Sequence, residues 1–128
     1  MLFSLLQIAC TSTPLQEGYT EQGSYYVQFE SNPAPIPFNE YFDIQVGVYA
    51  NKDMSALLTD LDVIVDASMP AHQHGMNETP TQIITDEGYI LSENLKWFMV
   101  GEWQLEFYIT GKNGQTETAF FLLECCTE

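Results

Sequence analysis

The sequence contains no arginine and only 3 basic residues, Lys52, Lys96 and Lys112, against 18 acids, for a formal charge of −15. Binding nucleic acid requires basic groups that neutralise phosphates, so this composition excludes a nucleic-acid partner, and it equally disfavours electrostatic attraction to anionic lipid. Long apolar runs are also missing. The longest at the start, Met1 to Ala9, falls well short of the roughly 20 residues that a membrane-spanning helix needs. There is no glycine-rich phosphate loop, no nucleophile elbow and no local Cys/His pair, so the chain is not expected to be an enzyme. Asp60 and Asp62 alternate along one strand face, the ordinary pattern of a solvated edge.

What is present is a core-forming composition, 45% hydrophobic and 13% aromatic in 128 residues, enough for one domain. The acidic excess favours solubility and raises the local cation concentration. Period-two alternation recurs along the chain. Tyr25, Val27 and Phe29 alternate with polar neighbours, as do Phe42, Ile44, Val46, Val48 and Ala50, then Leu61, Val63, Val65 and Ala67. Thr81 to Thr85 and Tyr89 to Leu95 follow, then the Trp103, Leu105, Phe107, Ile109 series. Gly111-Lys-Asn-Gly114 is a hairpin turn signal before a last strand from Thr116 to Leu123. No amphipathic helix appears, so about seven short strands predict an all-β antiparallel sandwich spanning residues 24–128. Pro33, Pro35 and Pro37 cannot donate ladder hydrogen bonds and are expected to cover an edge or a crossing between sheets.

The strand ending at Ser68 runs directly into Met69-Pro-Ala-His-Gln-His-Gly-Met76. Both histidines of the chain, His72 and His74, lie here beside Met69 and Met76. If this stretch is extended, His72, His74 and Met76 project to one side at intervals of roughly 6–7 Å. Imidazole binds copper and zinc alike, but thioether sulfur favours Cu(I), so the mixture points first to copper, as Cu(I) or Cu(II). Met99, at the entry to the Trp103 strand, completes the candidate set. Met69 also continues the inward series Val63, Val65, Ala67, and a purely packing role for it stays open. Zinc is the competing metal, with Asp66 or Glu78 supplying oxygen to the histidines, although no cysteine lies near the loop.

The octapeptide Met69 to Met76, then Pro80, Gly88-Tyr89 and Met99-Val-Gly-Glu-Trp103, resembles the pattern of the YtkA-like and FixH-like domains over about residues 40–123. That resemblance implies a small extracytoplasmic module with an immunoglobulin-like fold.

Leu6, Ala9 and Cys10 are similar to a lipoprotein signal, in which a small residue precedes the lipidated cysteine. Residues 1–23 then read as a signal and tether, and the domain as a lipid-anchored protein of the periplasm or outer cell envelope. Cys125 and Cys126 are adjacent, and a bond between them would close an unusual eight-membered ring; functionless thiols, intermolecular pairing or a second soft-metal site are the alternatives. Two functions are expected from these residues: an envelope copper module acting as chaperone, scavenger or sensor, or a metal-free module that binds an envelope protein through the loop and the Tyr41 to Tyr49 face.

Overall fold

The structure, a computed structural model, describes residues 16–126. Cys10 and the apolar run before it lie outside the described residues. The chain folds as an all-β sandwich of two antiparallel sheets. One sheet has the strand order β1 (Gln16–Tyr19), β2 (Tyr26–Asn32), β3 (Tyr41–Tyr49), β7 (Ile90–Lys96), β6 (Thr81–Ile84). The other is ordered β5 (His74–Gly75), β4 (Asp62–Met69), β8 (Gly101–Thr110), β9 (Thr116–Cys125). Among the described residues no helix is long and apolar enough to cross a membrane.

The core follows directly from the alternation. Val63, Val65, Ala67 and Met69 of β4 and Trp103, Leu105, Phe107 and Ile109 of β8 are buried. Facing them are Val27 and Phe29 of β2 and Phe42, Ile44, Val46 and Val48 of β3. Phe29 bridges the layers, its ring 5.2 Å from Phe107 and 4.9 Å from Phe121. Each such side chain contributes on the order of 1.5–3 kcal/mol by leaving water.

Four departures from the sequence expectation have identifiable causes. Gln16–Tyr19, inside the stretch read as a tether, pairs along β2 as an edge strand; its Tyr19 packs edge-on against Tyr26 at 4.8 Å. His74–Gly75 is a short strand where a loop was expected. The proline segment joins β2 to β3, neighbours in one sheet, so it does not cross between sheets. It closes the end of the sandwich instead, where Asn39 N donates to Trp97 O at 2.8 Å.

Finally, β3 does not keep one face wet. Ala50 lies beyond the strand and is exposed, whereas Gly47 and Tyr49 are buried. A side chain at Gly47 would fall 2.9 Å from the Tyr49 hydroxyl and 3.0 Å from the Tyr89 ring, so only glycine lets these two phenols cover the strand.

Candidate metal centre

At Met69 β4 stops for a local reason. Pro70 opens a 3-10 turn over Pro70–His72, and Gln73 takes a left-handed conformation at φ 56°. Gln73 N donates to Met69 O at 2.9 Å, which closes the turn. The chain therefore doubles back, and His74–Gly75 pairs antiparallel with Ser68 and Met69. This replaces the extended run in which His72, His74 and Met76 would have projected side by side. The turn nonetheless stacks the two imidazoles, with ring centroids 5.8 Å apart and planes 23° from parallel.

The register has a further consequence. Met69 sits directly opposite His74, and opposite residues of an antiparallel pair share a face, with Cβ atoms about 4.5–5.5 Å apart. Met69 is 1% exposed, so that face is the core side, and the half-buried imidazole of His74 lies at its rim. The His74 ring stacks on Phe98 at 5.4 Å and meets Trp103 edge-on at 6.0 Å. Trp103 in turn lies flat against Trp97, 5.1 Å away and 3° from parallel. An aromatic column thus leads from the exposed His72 into the centre of the sandwich.

His74 is also chemically incomplete. Its Nδ1 lies 3.2 Å from Gly75 O, a contact in which a protonated Nδ1 donates. Nε2 then carries the lone pair. It is buried and has no hydrogen-bond partner. Buried polar atoms are rarely left unpaired, and an imidazole lone pair on the sheet face that carries a thioether is a candidate soft-metal donor.

The Trp97–Val100 connection from β7 to β8 lies against this loop. Trp103 Nε1 donates to Met99 O at 2.9 Å, which ties the connection down, while Phe98 makes the His74 contact. Met76 and Met99 are both half-buried and pack against the core. The structure thus stacks His72 on His74, pairs His74 with Met69 across the ladder, and sets Met76 and Met99 on the two segments that flank the loop.

The oxygen donors that zinc would use do not join them. Asp66 points to the outer face of β4, opposite Glu106, with its carboxylate accepting from Ala67 N. Glu78 stands beside Tyr41, whose phenol it pushes above its usual value through its charge and a hydrogen bond. Among the described residues no group of three or more His, Cys, Asp and Glu is arranged to hold a metal. The Tyr41 to Tyr49 face is also altered. Tyr41 is exposed but Tyr49 is 5% exposed, and burial, together with a Tyr89 hydrogen bond, pushes its phenol up to about 12.

Three residues of this region escaped the sequence reading. Phe98 and Trp97 carry the column, and their signal was only their position beside Met99. Gly101 is the third: its φ of +131° suits glycine alone, and a Cβ there would fall 2.9 Å from Met69 Cε. The glycine of Met99-Val-Gly-Glu-Trp103 therefore makes room for the Met69 thioether. No protein-family model matches the chain, and no curated protein matches it either.

Proposed function

We propose that this chain is an extracytoplasmic metal-binding module of the YtkA-like and FixH-like kind, immunoglobulin-like in fold, that binds copper through His72, His74 and the methionines around them. The observation that carries the reading is the buried, unpartnered Nε2 of His74, which shares a sheet face with the Met69 thioether. A nitrogen–sulfur donor set of this kind favours Cu(I) over zinc. Met76 and Met99 are the next donors, since both lie on segments flanking His74. The exposed position of His72 suits ligand exchange with a partner, as a chaperone, scavenger or sensor needs. The formal charge of −15 draws cations toward the domain. Lipidation at Cys10 would hold the module on a membrane surface of the periplasm or outer envelope, which labelling with a radioactive fatty acid tests directly.

Competitive titration of the chain with Cu(I), Cu(II) and Zn(II) tests the metal reading. The expected result is a single tight copper site that is lost in the His72→Ala, His74→Ala double variant. Unchanged stoichiometry and affinity in that variant would refute it.

A metal-free envelope interaction module is the second reading, favoured by the edge strand β6, where Ile83 and Ile84 are 43% and 64% exposed. Edge strands with exposed apolar side chains are places where another chain can pair. A pull-down kept by the double-alanine variant but lost on replacing Ile83 and Ile84 with lysine would support it over the first.

A further inference from the structure

The Met/His loop does not hold all the sulfur at this end of the sandwich. β9 runs antiparallel to β8 and ends with Cys125 directly opposite Gly101. Cys125 is 3% exposed and part of the core, and Cys126 packs against that core half-buried. On the other side of β8, the Met69 side chain reaches over the same glycine, its Cε 2.9 Å from where a Cβ would stand. Opposite residues of an antiparallel pair present their side chains on one face, about 4.5–5.5 Å apart at Cβ. The Met69 thioether and the Cys125 sulfur therefore converge on Gly101 from the two strands flanking β8, and no β8 side chain stands at that position.

In the structure Cys125 and Cys126 are joined as a vicinal disulfide. Disulfide sulfur carries no negative charge and is a poor metal ligand, whereas thiolates are soft donors that select Cu(I). We propose that Cys125 and Cys126, with Met69 across Gly101, form a second soft-metal site that is closed by the disulfide and opened by a dithiol reductant. In the opening step the dithiol's two sulfurs replace the Cys125–Cys126 bond with a cyclic disulfide of the reductant, and its two protons pass to the released thiols. Cu(I) then displaces those protons and is held by the two thiolates and the Met69 thioether. Oxidation by a disulfide of higher potential runs the exchange backwards and expels the metal. The choice of copper rests on the function proposed above, whereas the gating by the cysteine pair rests on the Cys125–Cys126 bond and the β8–β9 register.

The test uses the full chain carrying Cys10→Ser, so that the vicinal pair supplies the only thiols. One sample is treated with a dithiol that is then removed without air; the other is left oxidised. Cu(I) is titrated into both against a chromophoric chelator, with ultraviolet absorption followed for thiolate-to-copper charge transfer. The reduced protein is expected to bind one further Cu(I), or to bind Cu(I) at least about tenfold more tightly, and to show the charge-transfer band. Cys126→Ser, at the half-buried position, should abolish both gains without disturbing the buried Cys125. Equal binding in the two redox states, or a reduced protein without the band, would overturn the proposal. Loss of copper from the oxidised protein in the His72→Ala, His74→Ala variant reports on the Met/His loop independently. Copper that survives that variant only when the cysteines are reduced would support both sites, whereas an oxidised variant that binds copper as the oxidised parent does would refute the loop reading and leave the cysteine site to be judged by the two redox states.

Discussion

The two ends of the sandwich are finished in opposite ways. At the end where β8 turns into β9, the polar groups are paired: Gly111 N donates to Gln115 O at 3.1 Å, and Gln115 N donates to Asn113 Oδ1 at 2.9 Å. Nearby, the Glu117 carboxylate accepts from Thr20 Oγ1 at 2.6 Å and from Ser24 N at 3.1 Å. At the other end stand the two buried side-chain atoms that lack partners among the described residues, His74 Nε2 and Trp97 Nε1, together with Met69, Met76, Met99, Cys125 and Cys126. A satisfied end closes a fold, whereas buried polar atoms left unpaired carry a cost in stability, and on the function proposed above they mark where copper would bind.

The largest effect is expected from removing what both ends share, the core. Trp103→Ala deletes the centre of the aromatic column and should cost about 3–5 kcal/mol in denaturant unfolding. Next comes the paired end. Glu117→Ala should cost about 1–2 kcal/mol, since hydrogen bonds to a charged acceptor are among the stronger ones and this group is only half-buried. If Glu117→Ala proves neutral, the satisfied end is not held by its hydrogen bonds and the contrast fails.

Alkaline titration sharpens the same comparison. The hydrogen bond to Glu17, with burial, pushes the Tyr26 phenol up to about 12, and burial with the Tyr89 hydrogen bond does the same for Tyr49. Both residues sit at the paired end, opposite each other on β2 and β3. A free tyrosine loses its proton near pH 10, so between pH 10 and 12 the unfolded chain binds fewer protons than the folded one. This contribution is therefore complete below pH 10 and lost as pH rises through 12. Melting temperatures should fall across that interval, and Tyr49→Phe should flatten the fall.

At the open end the expectation reverses. His74→Leu removes a buried atom that has no partner and keeps the packing against Phe98, so stability should stay within about 1 kcal/mol of the parent or rise. Copper affinity should drop in the same variant. A large loss of stability would show that His74 is an ordinary structural residue. The smallest effect is expected at the exposed pair Lys112–Asp60, 3.2 Å apart with side chains 79% and 74% exposed. Lys112→Ala should cost less than about 0.5 kcal/mol, and still less in high salt.

The strands were legible because the alternation of Phe42, Ile44 and Val46, or of Trp103, Leu105 and Phe107, is a local pattern dictated by which side of a pleated chain meets water. The same rule misled at Tyr49, which packs against Tyr89 of the turn before β7. Gln16–Tyr19 was missed because an edge strand of four residues shows too few alternations to stand out.

By itself the sequence determined the all-β class, the positions of the longer strands, the acidic surface and the gathering of histidine and methionine in one stretch. All of these depend on residues close together in the chain. Only the tertiary structure decided that His74 shares a face with Met69, and that a turn rather than an extended run stacks it on His72, because a proline-initiated turn and a ladder to β4 set that register. It also decided that Phe98 lies on His74 and that Cys125 stands opposite the glycine beneath Met69. Those relations join residues distant in sequence, and they follow from how strands pair and sheets pack, which no local pattern records.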